Sequence, residues 1–259
     1  MAHLAHYKEA HPIPFRVTHW INLICMFLLI LSGIYIHFPY FPGLESVARG
    51  VHILCGFVIF INCIVRIVMS FFIKAAPAGG TRKKKSDILM WLPQKDNRHQ
   101  AVQWIKYYLF LRKTHPLGGK LGVPQKISYL LIPFLLIIMF ITGLCIWAPT
   151  QSSGICVAIN NLVGGVMSMR IIHYFLMFVF IIFCFIHLYL ANVEGIEPTK
   201  LILFGKEHGG LVYDPDKHII IGYDEMDGKG VRPLPEIPDA NADADVSNGV
   251  HEQDEKVAS

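Results

Sequence analysis

Residues 170–193 form one apolar run that carries two histidines, and this combination constrains the fold more than any other part of the sequence. About 20 residues rising about 1.5 Å each cross a hydrocarbon core of about 30 Å, so the run predicts a membrane-spanning helix. His173 and His187 are fourteen residues apart, which places them on one helical face, about 21 Å apart along the axis. Ionisable side chains inside a span indicate function, and neutral imidazole is a usual axial ligand of haem iron. We therefore interpret this helix as the source of one ligand for each of two b-type haems.

Four apolar runs are long enough to cross a bilayer, at residues 17–37, 47–73, 127–147 and 168–193. They predict an all-α membrane protein whose four transmembrane helices form a bundle holding two haems. This transmembrane domain covers residues 1–195, and residues 196–259 form a tail with a short strand at 219–223 and disorder from about residue 233. Since 53% of the 259 residues are hydrophobic, the chain has no room for a large soluble catalytic domain.

Basic residues are concentrated between the second and third runs, in the segment 74–126, which includes the sequence TRKKK at 81–85. Because Lys and Arg accumulate on the cytoplasmic side of membrane proteins, we predict that this segment and both termini are cytoplasmic. Residues 99–113 within it predict an interfacial amphipathic helix, with aromatic rings at the level of the lipid headgroups. A basic loop tied between two spans meets anionic membrane lipid, and we expect no nucleic-acid partner.

The six cysteines are scattered, mostly inside apolar runs, and no CxxC or CxxCH spacing occurs. This pattern argues against a covalently attached c-type haem and against an iron–sulfur cluster in this chain. We interpret the cysteines as small buried hydrophobic residues.

Five of the thirteen histidines lie in or at the ends of the spans: His19, His37, His52, His173 and His187. On the predicted orientation, His52 and His173 lie near the external face, whereas His19 and His187 lie near the cytoplasmic face. We therefore predict two bis-histidine haem sites, one for each of these pairs, inside the bundle. His37 also falls near the external face and is an alternative to His52. For the whole set, the alternative is structural histidines in a haem-free transporter or scaffold.

An arginine precedes three of these histidines by one helical turn, namely Arg16, Arg49 and Arg170. Each could pair with a haem propionate, or could serve as an ordinary anchor at the membrane boundary. Glycines also interrupt the bulky helices, at Gly33, Gly56 and Gly143. They would let a flat ring approach the backbone, or let helices pack closely.

The chain contains, in order, PFRVTHW, ARGVHILCGFVIFINCIVRIV, KYYLFLRK, ITGLCIW and RIIHYFLMFVFIIFCFIHLYLA. This set, over about residues 12–195, resembles the b-type cytochrome subunit of membrane-bound nickel–iron hydrogenases. That subunit belongs with the gamma subunits of membrane formate dehydrogenases and the bacterial cytochromes b561. The segments LSGIYIHFP and TGLCIWAP also resemble the formate dehydrogenase branch. Thr18 stands where many hydrogenase cytochromes have tryptophan.

The resemblance implies a non-catalytic, quinone-reducing electron-transfer subunit of a respiratory oxidoreductase complex in the cell membrane. Electrons from the iron–sulfur chain of an external hydrogenase would reach the His52–His173 haem, then the His19–His187 haem, and finally a quinone such as menaquinone. The implied partners are the hydrogenase small (iron–sulfur) and large (nickel–iron) subunits, with a partner transmembrane anchor helix. The alternatives are the cytochrome b subunit of a formate dehydrogenase or of a thiosulfate or polysulfide reductase, and a stand-alone cytochrome b561.

For the quinone, we expect a site near the cytoplasmic haem, at Asn22, Gln125 and Lys126. An amide or ammonium group there could donate a hydrogen bond to a quinone carbonyl. Each of these residues is equally explicable as an interfacial polar residue.

Overall fold

The computed structural model describes residues 5–77, 79–92, 100–113, 121–193, 195–214, 217, 219–224 and 231–233. Its helices are α1 (Ile13–His37), α2 (Glu45–Phe72), α3 (Asp87–Trp91), α4 (Ala101–Tyr108), α5 (Val123–Ile146), α6 (Gly154–Leu162), α7 (Val166–Asn192) and α8 (Glu197–Phe204). Its strands are β1 (Lys74–Ala75), β2 (Lys85–Ser86), β3 (Leu211–Asp214), β4 (Ile219–Asp224) and β5 (Val231–Pro233).

Four of the helices, α1, α2, α5 and α7, are long and apolar enough to cross a membrane. They correspond to the four predicted spans, so the predicted fold class is confirmed. Each begins two to four residues earlier than the apolar run that predicted it. In α1 and α5 the added turn contains Pro14 or Pro124, which suits the first turn because the backbone N–H groups there have no partner within the helix.

The chain divides into two compact units. The first, which we call the bundle unit, comprises residues 14–68 and 130–190 and contains most of the four long helices. The second, the polar unit, is formed by the described parts of residues 1–13, 69–129 and 191–259.

The core of the bundle unit is apolar, and so is its outer surface. Cys25, Cys55, Ile59, Leu136 and Phe180 are buried together at its centre. Large side chains on the outer faces are exposed, among them Phe27, Ile61, Phe134, Phe175 and Phe185. A helix that is hydrophobic all round is suited to lipid, because hydrocarbon chains solvate its outer face as well as protein does.

The connection between α5 and α7 contains a helix, α6, that its Ser/Gly/Asn-rich sequence did not lead us to predict. Ser153 caps α6 by accepting a hydrogen bond from the backbone N–H of Cys156 at 3.4 Å. The buried amide of Asn160 donates to the carbonyl of Cys145 at 3.0 Å, which ties α6 to the end of α5. The Ser153 cap is local and the Asn160 bond spans 15 residues of sequence, and periodicity alone reveals neither.

The polar unit brings residues 5–7, near the start of the chain, together with residues 208–212. Strands β3, β4 and β5 form an antiparallel sheet, and the strand predicted at 219–223 is confirmed as β4. Ala5 and Tyr7 pack against Val212, and the backbones of His6 and His208 form a β-bridge. The predicted disorder from residue 233 falls almost wholly on residues 234–259, which lie outside the described residues.

Helix α4 lies within the predicted amphipathic segment but presents the opposite face from the one expected. Trp104, Tyr107 and Tyr108 are buried in the polar unit, whereas Val102 and Ile105 are exposed. The three aromatic residues recur at helical spacing and therefore share one face, which is large enough to pack as core. The prediction that their rings lie at the lipid headgroups is wrong for these residues, since they face protein.

A cluster of charged groups lies inside the polar unit around Arg82. Its guanidinium is 2.8 Å from Asp224, 3.5 Å from Glu9 and 3.5 Å from Glu207, and it covers the ring of Tyr7 at 4.2 Å. The carboxylate of Asp224 is almost fully buried. Burial of the Tyr7 phenol, reinforced by the negative charge of Asp224, raises the pKa of Tyr7 to about 12 although Arg82 acts in the opposite direction. Arg82 is therefore the cation that makes burial of this acidic cluster possible.

We predict that Arg82→Met opens the polar unit. The substitution leaves the buried Asp224 carboxylate without its closest cation, and breaking a buried pair from one side costs about 3–5 kcal/mol. Limited proteolysis and amide hydrogen exchange of the purified protein should show loss of protection in residues 5–11, 205–214 and 219–224, while α1 and α7 stay protected. Lys200→Met is the control, because it removes a solvent-exposed partner of Glu197 and should leave the protection unchanged. Unchanged protection in Arg82→Met would show that the cluster does not hold the unit closed.

Candidate functional site

Two pairs of histidine rings approach each other within the bundle unit, where His19, His52 and His173 are half-buried and His187 is exposed. The ring centroids of His52 on α2 and His173 on α7 are 6.3 Å apart, with an interplanar angle of 68°. Those of His19 on α1 and His187 on α7 are 6.2 Å apart, with an angle of 40°. The structure thus brings together the same two pairs that the sequence analysis proposed.

The rings of the His52–His173 pair are each held by a hydroxyl group from a neighbouring helix. Ser32 Oγ on α1 lies 2.9 Å from Nδ1 of His52, and Thr142 Oγ1 on α5 lies 2.8 Å from Nδ1 of His173. Both hydroxyl groups belong to buried residues. At this end of the bundle unit, hydrogen bonds therefore connect α1 with α2 and α5 with α7.

The His19–His187 pair has a different environment. Nδ1 of His19 is buried and has no hydrogen-bond partner among the described residues. The ring of His187 stacks on Phe183, with centroids 5.6 Å apart and an interplanar angle of 27°. A buried imidazole nitrogen without a partner is costly, and a ligand is one explanation for such a group.

A glycine follows each of the two hydroxyl residues and makes room for the imidazole ring. A Cβ atom on Gly33 would lie 3.4 Å from Cε1 of His52, and a Cβ atom on Gly143 would lie 3.3 Å from Cε1 of His173. Larger side chains at these positions would enter the space that the rings occupy. Close approach of the ring to the backbone therefore explains these two glycines, whereas a Cβ atom on Gly56 would meet no atom within 4 Å.

The two pairs fit the chemistry of b-type haem. An iron ion bound axially by two imidazoles requires ring centroids roughly 6 Å apart, because each metal–nitrogen bond is about 2 Å long. Both observed separations satisfy this requirement. Two protein ligands are also the number that haem needs, since the macrocycle supplies the other four, whereas structural zinc takes about four protein ligands.

The three arginines proposed as propionate partners differ in exposure. Arg49 and Arg170 are exposed and make no ion pair or side-chain hydrogen bond within the described part of the chain. Arg16 is partly buried. A further cation, Arg66 on α2, places its guanidinium 3.9 Å from the ring centroid of Phe15. Arg66 was not predicted from the sequence, because no histidine lies one helical turn away from it.

Asn22, proposed for the quinone, belongs to a hydrogen-bond network between α1 and α2. Its Oδ1 accepts from Nδ2 of Asn62 at 2.6 Å, and the same nitrogen donates to the backbone carbonyl of Thr18 at 2.8 Å. Asn62 is buried, with 6% of its surface exposed. The network fixes the backbone immediately before His19.

Gln125 and Lys126, also proposed for the quinone, belong to the polar unit. Gln125 Oε1 accepts a hydrogen bond from the backbone N–H of Gly122 at 2.9 Å, which stabilises the N-terminus of α5. Lys126 is buried, with 5% of its surface exposed. Burial of an ammonium group at the start of a spanning helix is uncommon, and it distinguishes Lys126 from an ordinary snorkelling lysine.

His37, the alternative to His52, lies at the exposed end of α1. Its ring stacks on Tyr174 with a centroid separation of 4.1 Å and an interplanar angle of 16°. This stacking gives His37 an aromatic neighbour, while His52 is the ring that faces His173.

Sequence reasoning missed Ser32, Thr142 and Asn62. Single hydroxyl groups in apolar helices usually bond only to their own backbone, so they gave no signal of their own. The signal that could have found Ser32 and Thr142 is a repeated pattern, LSGIYIH in α1 and ITGLCIW in α5, in which a hydroxyl residue precedes a glycine.

We predict that Gly143→Val and Gly33→Val each lower haem content toward about one haem per polypeptide. A Cβ atom would already touch Cε1 of His173 at 3.3 Å or of His52 at 3.4 Å, so the two further carbons of valine would crowd the ring. The pyridine haemochrome spectrum of the purified protein measures this. Gly50→Val is the control, because a Cβ atom on Gly50 meets no atom within 4 Å. Full haem content in both variants would contradict the role given to these glycines.

The chain is similar to proteins of a known family. The chain matches the family model of prokaryotic cytochrome b561 over residues 10–203, which is most of its length. It is 25% identical over 208 residues to a probable Ni/Fe-hydrogenase B-type cytochrome subunit of Rhizobium leguminosarum bv. viciae, covering 73% of this chain and 82% of that protein.

Two formate dehydrogenase subunits are also similar to the chain. It is 24% identical over 150 residues to the cytochrome b556 subunit of Haemophilus influenzae, covering 53% of each protein. It is 26% identical over 142 residues to the nitrate-inducible cytochrome b556(Fdn) subunit of Escherichia coli K12, covering 52% of this chain and 57% of that protein. The chain thus spans little more than half the length of these two relatives. From the family match and the four apolar helices we conclude that this chain belongs to the prokaryotic cytochrome b561 family and is a multi-pass inner-membrane electron-transfer protein that binds b-type haem.

Proposed function

We propose that this chain is the membrane cytochrome subunit of a nickel–iron hydrogenase complex and that it delivers electrons to a quinone. Its donor would be the iron–sulfur chain of a small hydrogenase subunit, which faces the outside of the cell together with the large nickel–iron subunit. His52 and His173 would bind the haem nearer that donor, and His19 and His187 would bind the haem nearer the cytoplasm. Menaquinone or a similar quinone would accept the electrons.

The observation that carries the proposal is the extent of similarity to the hydrogenase cytochrome. At nearly equal identity, the alignment covers 82% of the Rhizobium protein but only 53% and 57% of the two formate dehydrogenase subunits. Similarity over most of both chains supports the same arrangement of spans. A formate dehydrogenase complex is the second candidate, because two such subunits are as similar in the region that aligns.

The chain's own residues would bind, orient and insulate the cofactors. Haem b supplies a one-electron Fe(III)/Fe(II) couple when bound. Arg49 and Arg170 are exposed one turn before His52 and His173, where each is available to pair with a propionate. Between the two histidine pairs, the apolar core around Phe180 excludes water, and a low dielectric separates the two sites.

For the quinone, we propose Asn22 of the bundle unit as a binding residue on the cytoplasmic side, with Gln125 and Lys126 of the polar unit as further candidates. Asn22 is part of the network that fixes the backbone before His19, so a quinone bound by its amide would lie close to that ligand. The buried ammonium of Lys126 could donate a hydrogen bond to a quinone carbonyl. An anchor helix from a partner subunit would cover part of the apolar outer surface.

We predict two haems b per polypeptide in the parent protein and about one in His52→Ala and in His187→Ala. Each substitution removes one axial ligand from only one of the two pairs. His37→Ala is the matched control, since that ring stacks on Tyr174, and it should keep both haems. If His37→Ala loses a haem and His52→Ala keeps both, His37 is the ligand. A parent protein without haem would favour a structural role for the histidines.

We predict that hydrogen, and not formate, reduces the haems in a complex isolated through this chain. The complex is purified from membranes with its partner subunits, and the reduced haem spectrum is recorded after addition of either substrate under anaerobic conditions. Addition of a quinone analogue should then reoxidise the haems. Reduction by formate alone would assign the chain to the second candidate complex.

A further inference from the structure

We propose that Ser32 and Thr142 are positioning residues that set the His52–His173 site at a lower reduction potential than the His19–His187 site. The inference rests on the proposed function, since it assigns a role toward haem at these two pairs. It goes beyond that function by giving the electron path a built-in direction.

The two hydroxyl groups donate their hydrogens within their own helices. Ser32 Oγ lies 2.6 Å from the carbonyl oxygen of Leu28, and Thr142 Oγ1 lies 2.9 Å from that of Met139. A carbonyl oxygen only accepts hydrogen bonds, and a hydroxyl group has a single hydrogen to donate. Each hydroxyl group therefore donates to its own helix and has lone pairs left for the histidine.

The hydroxyl oxygens fix the tautomer of each histidine. Nδ1 of His52 and Nδ1 of His173 face hydroxyl oxygens that have already donated their hydrogen, at 2.9 Å and 2.8 Å. Because each of these oxygens can only accept, Nδ1 carries the proton in both rings. Nε2 is then the nitrogen with a free lone pair, which is the one available to iron.

The two histidine pairs differ in the hydrogen bonds made by Nδ1. A hydrogen bond donated by Nδ1 makes the imidazole a stronger electron donor, which favours the oxidised state of the iron and lowers its reduction potential. Both rings of the His52–His173 pair have such a bond. In the His19–His187 pair, the described residues give neither ring a side-chain hydrogen bond, and Nδ1 of His19 is buried without a partner. The His52–His173 site is therefore the more reducing of the two.

The two positioning residues occur in the same local arrangement. In α1, Ser32 holds Nδ1 of His52 and Gly33 makes room for Cε1 of the same ring. In α5, Thr142 and Gly143 do the same for His173. A hydroxyl residue followed by glycine thus forms a cradle that fixes both the tautomer and the position of a ring. That the cradle occurs twice at one site, on two different helices, argues against a chance hydrogen bond.

The test is a potentiometric titration of both haems in the purified full-length protein. The variants are Ser32→Cys and Thr142→Val, which keep the side-chain size and weaken or remove the acceptor, and the double variant. We expect the lower of the two potentials to rise and the higher one to stay unchanged. For the double variant, the equilibrium constant for electron transfer between the sites should change about tenfold, which is about 59 mV for a one-electron couple.

Three further measurements separate positioning from general damage. Ser32→Thr and Thr142→Ser keep a hydroxyl group and should retain the parent potentials. Ser128→Ala removes a helix hydroxyl group that bonds only to the carbonyl of Pro124, and it should leave both potentials unchanged. Electron paramagnetic resonance of the oxidised protein should show altered g values for one of the two haems in the double variant, because the ligand field and ring orientation change at one site.

The outcomes distinguish this inference from the proposed function. Two haems whose potentials do not respond to Ser32→Cys or to Thr142→Val would overturn the inference. They would leave the proposed electron-transfer function intact. A rise of the higher potential instead of the lower one would also overturn it. If Thr142→Val fails to assemble, Ser32→Cys alone should still raise the lower potential. A parent protein without haem would refute the proposed function itself.

Discussion

Placing four imidazole rings inside an apolar helical bundle is the constraint on which the rest of the structure depends. A buried ring nitrogen without a hydrogen bond or a metal is costly in hydrocarbon, so each ring needs a partner. At the His52–His173 pair the partners come from α1 and α5, which ties these helices to α2 and α7. At the other pair, Nδ1 of His19 has no partner among the described residues. The hydrogen bonds between these hydroxyl groups and the histidine rings therefore constrain how the neighbouring helices pack.

How much the sequence could predict depended on the range of the interactions. Span length and the fourteen-residue spacing of His173 and His187 are local, so they predicted the helices and the shared face. The orientation predicted from the basic segment then paired the histidines by depth. The hydroxyl partners were missed because they connect different helices across 20 and 31 residues of sequence. The polar unit was missed for the same reason, since Ala5 and Tyr7 meet Val212 from the far end of the chain. The burial of Trp104 was misjudged because composition does not reveal which side of a short helix faces protein.

Family membership and the individual site answer different questions. The prokaryotic cytochrome b561 family explains why the chain has four spans and binds b-type haem. The structure adds that one pair of histidines is held by Ser32 and Thr142 while the other is not. Those contacts are read from the geometry of this chain. They distinguish two sites that the helical pattern makes otherwise alike, and that distinction is what a directional electron path requires.

The spacing of the two histidines on α7 also relates electron transfer to the voltage across the membrane. Their separation of about 21 Å is about two thirds of a hydrocarbon core of about 30 Å. An electron that moves inward on the proposed orientation therefore crosses a large fraction of an inside-negative membrane potential. For 100 mV this opposes transfer by roughly 1.5 kcal/mol, since a full crossing costs about 2.3 kcal/mol. Electron delivery would then slow as the cell becomes energised, and the distance between two residues on one helix would set how strongly respiration responds to voltage.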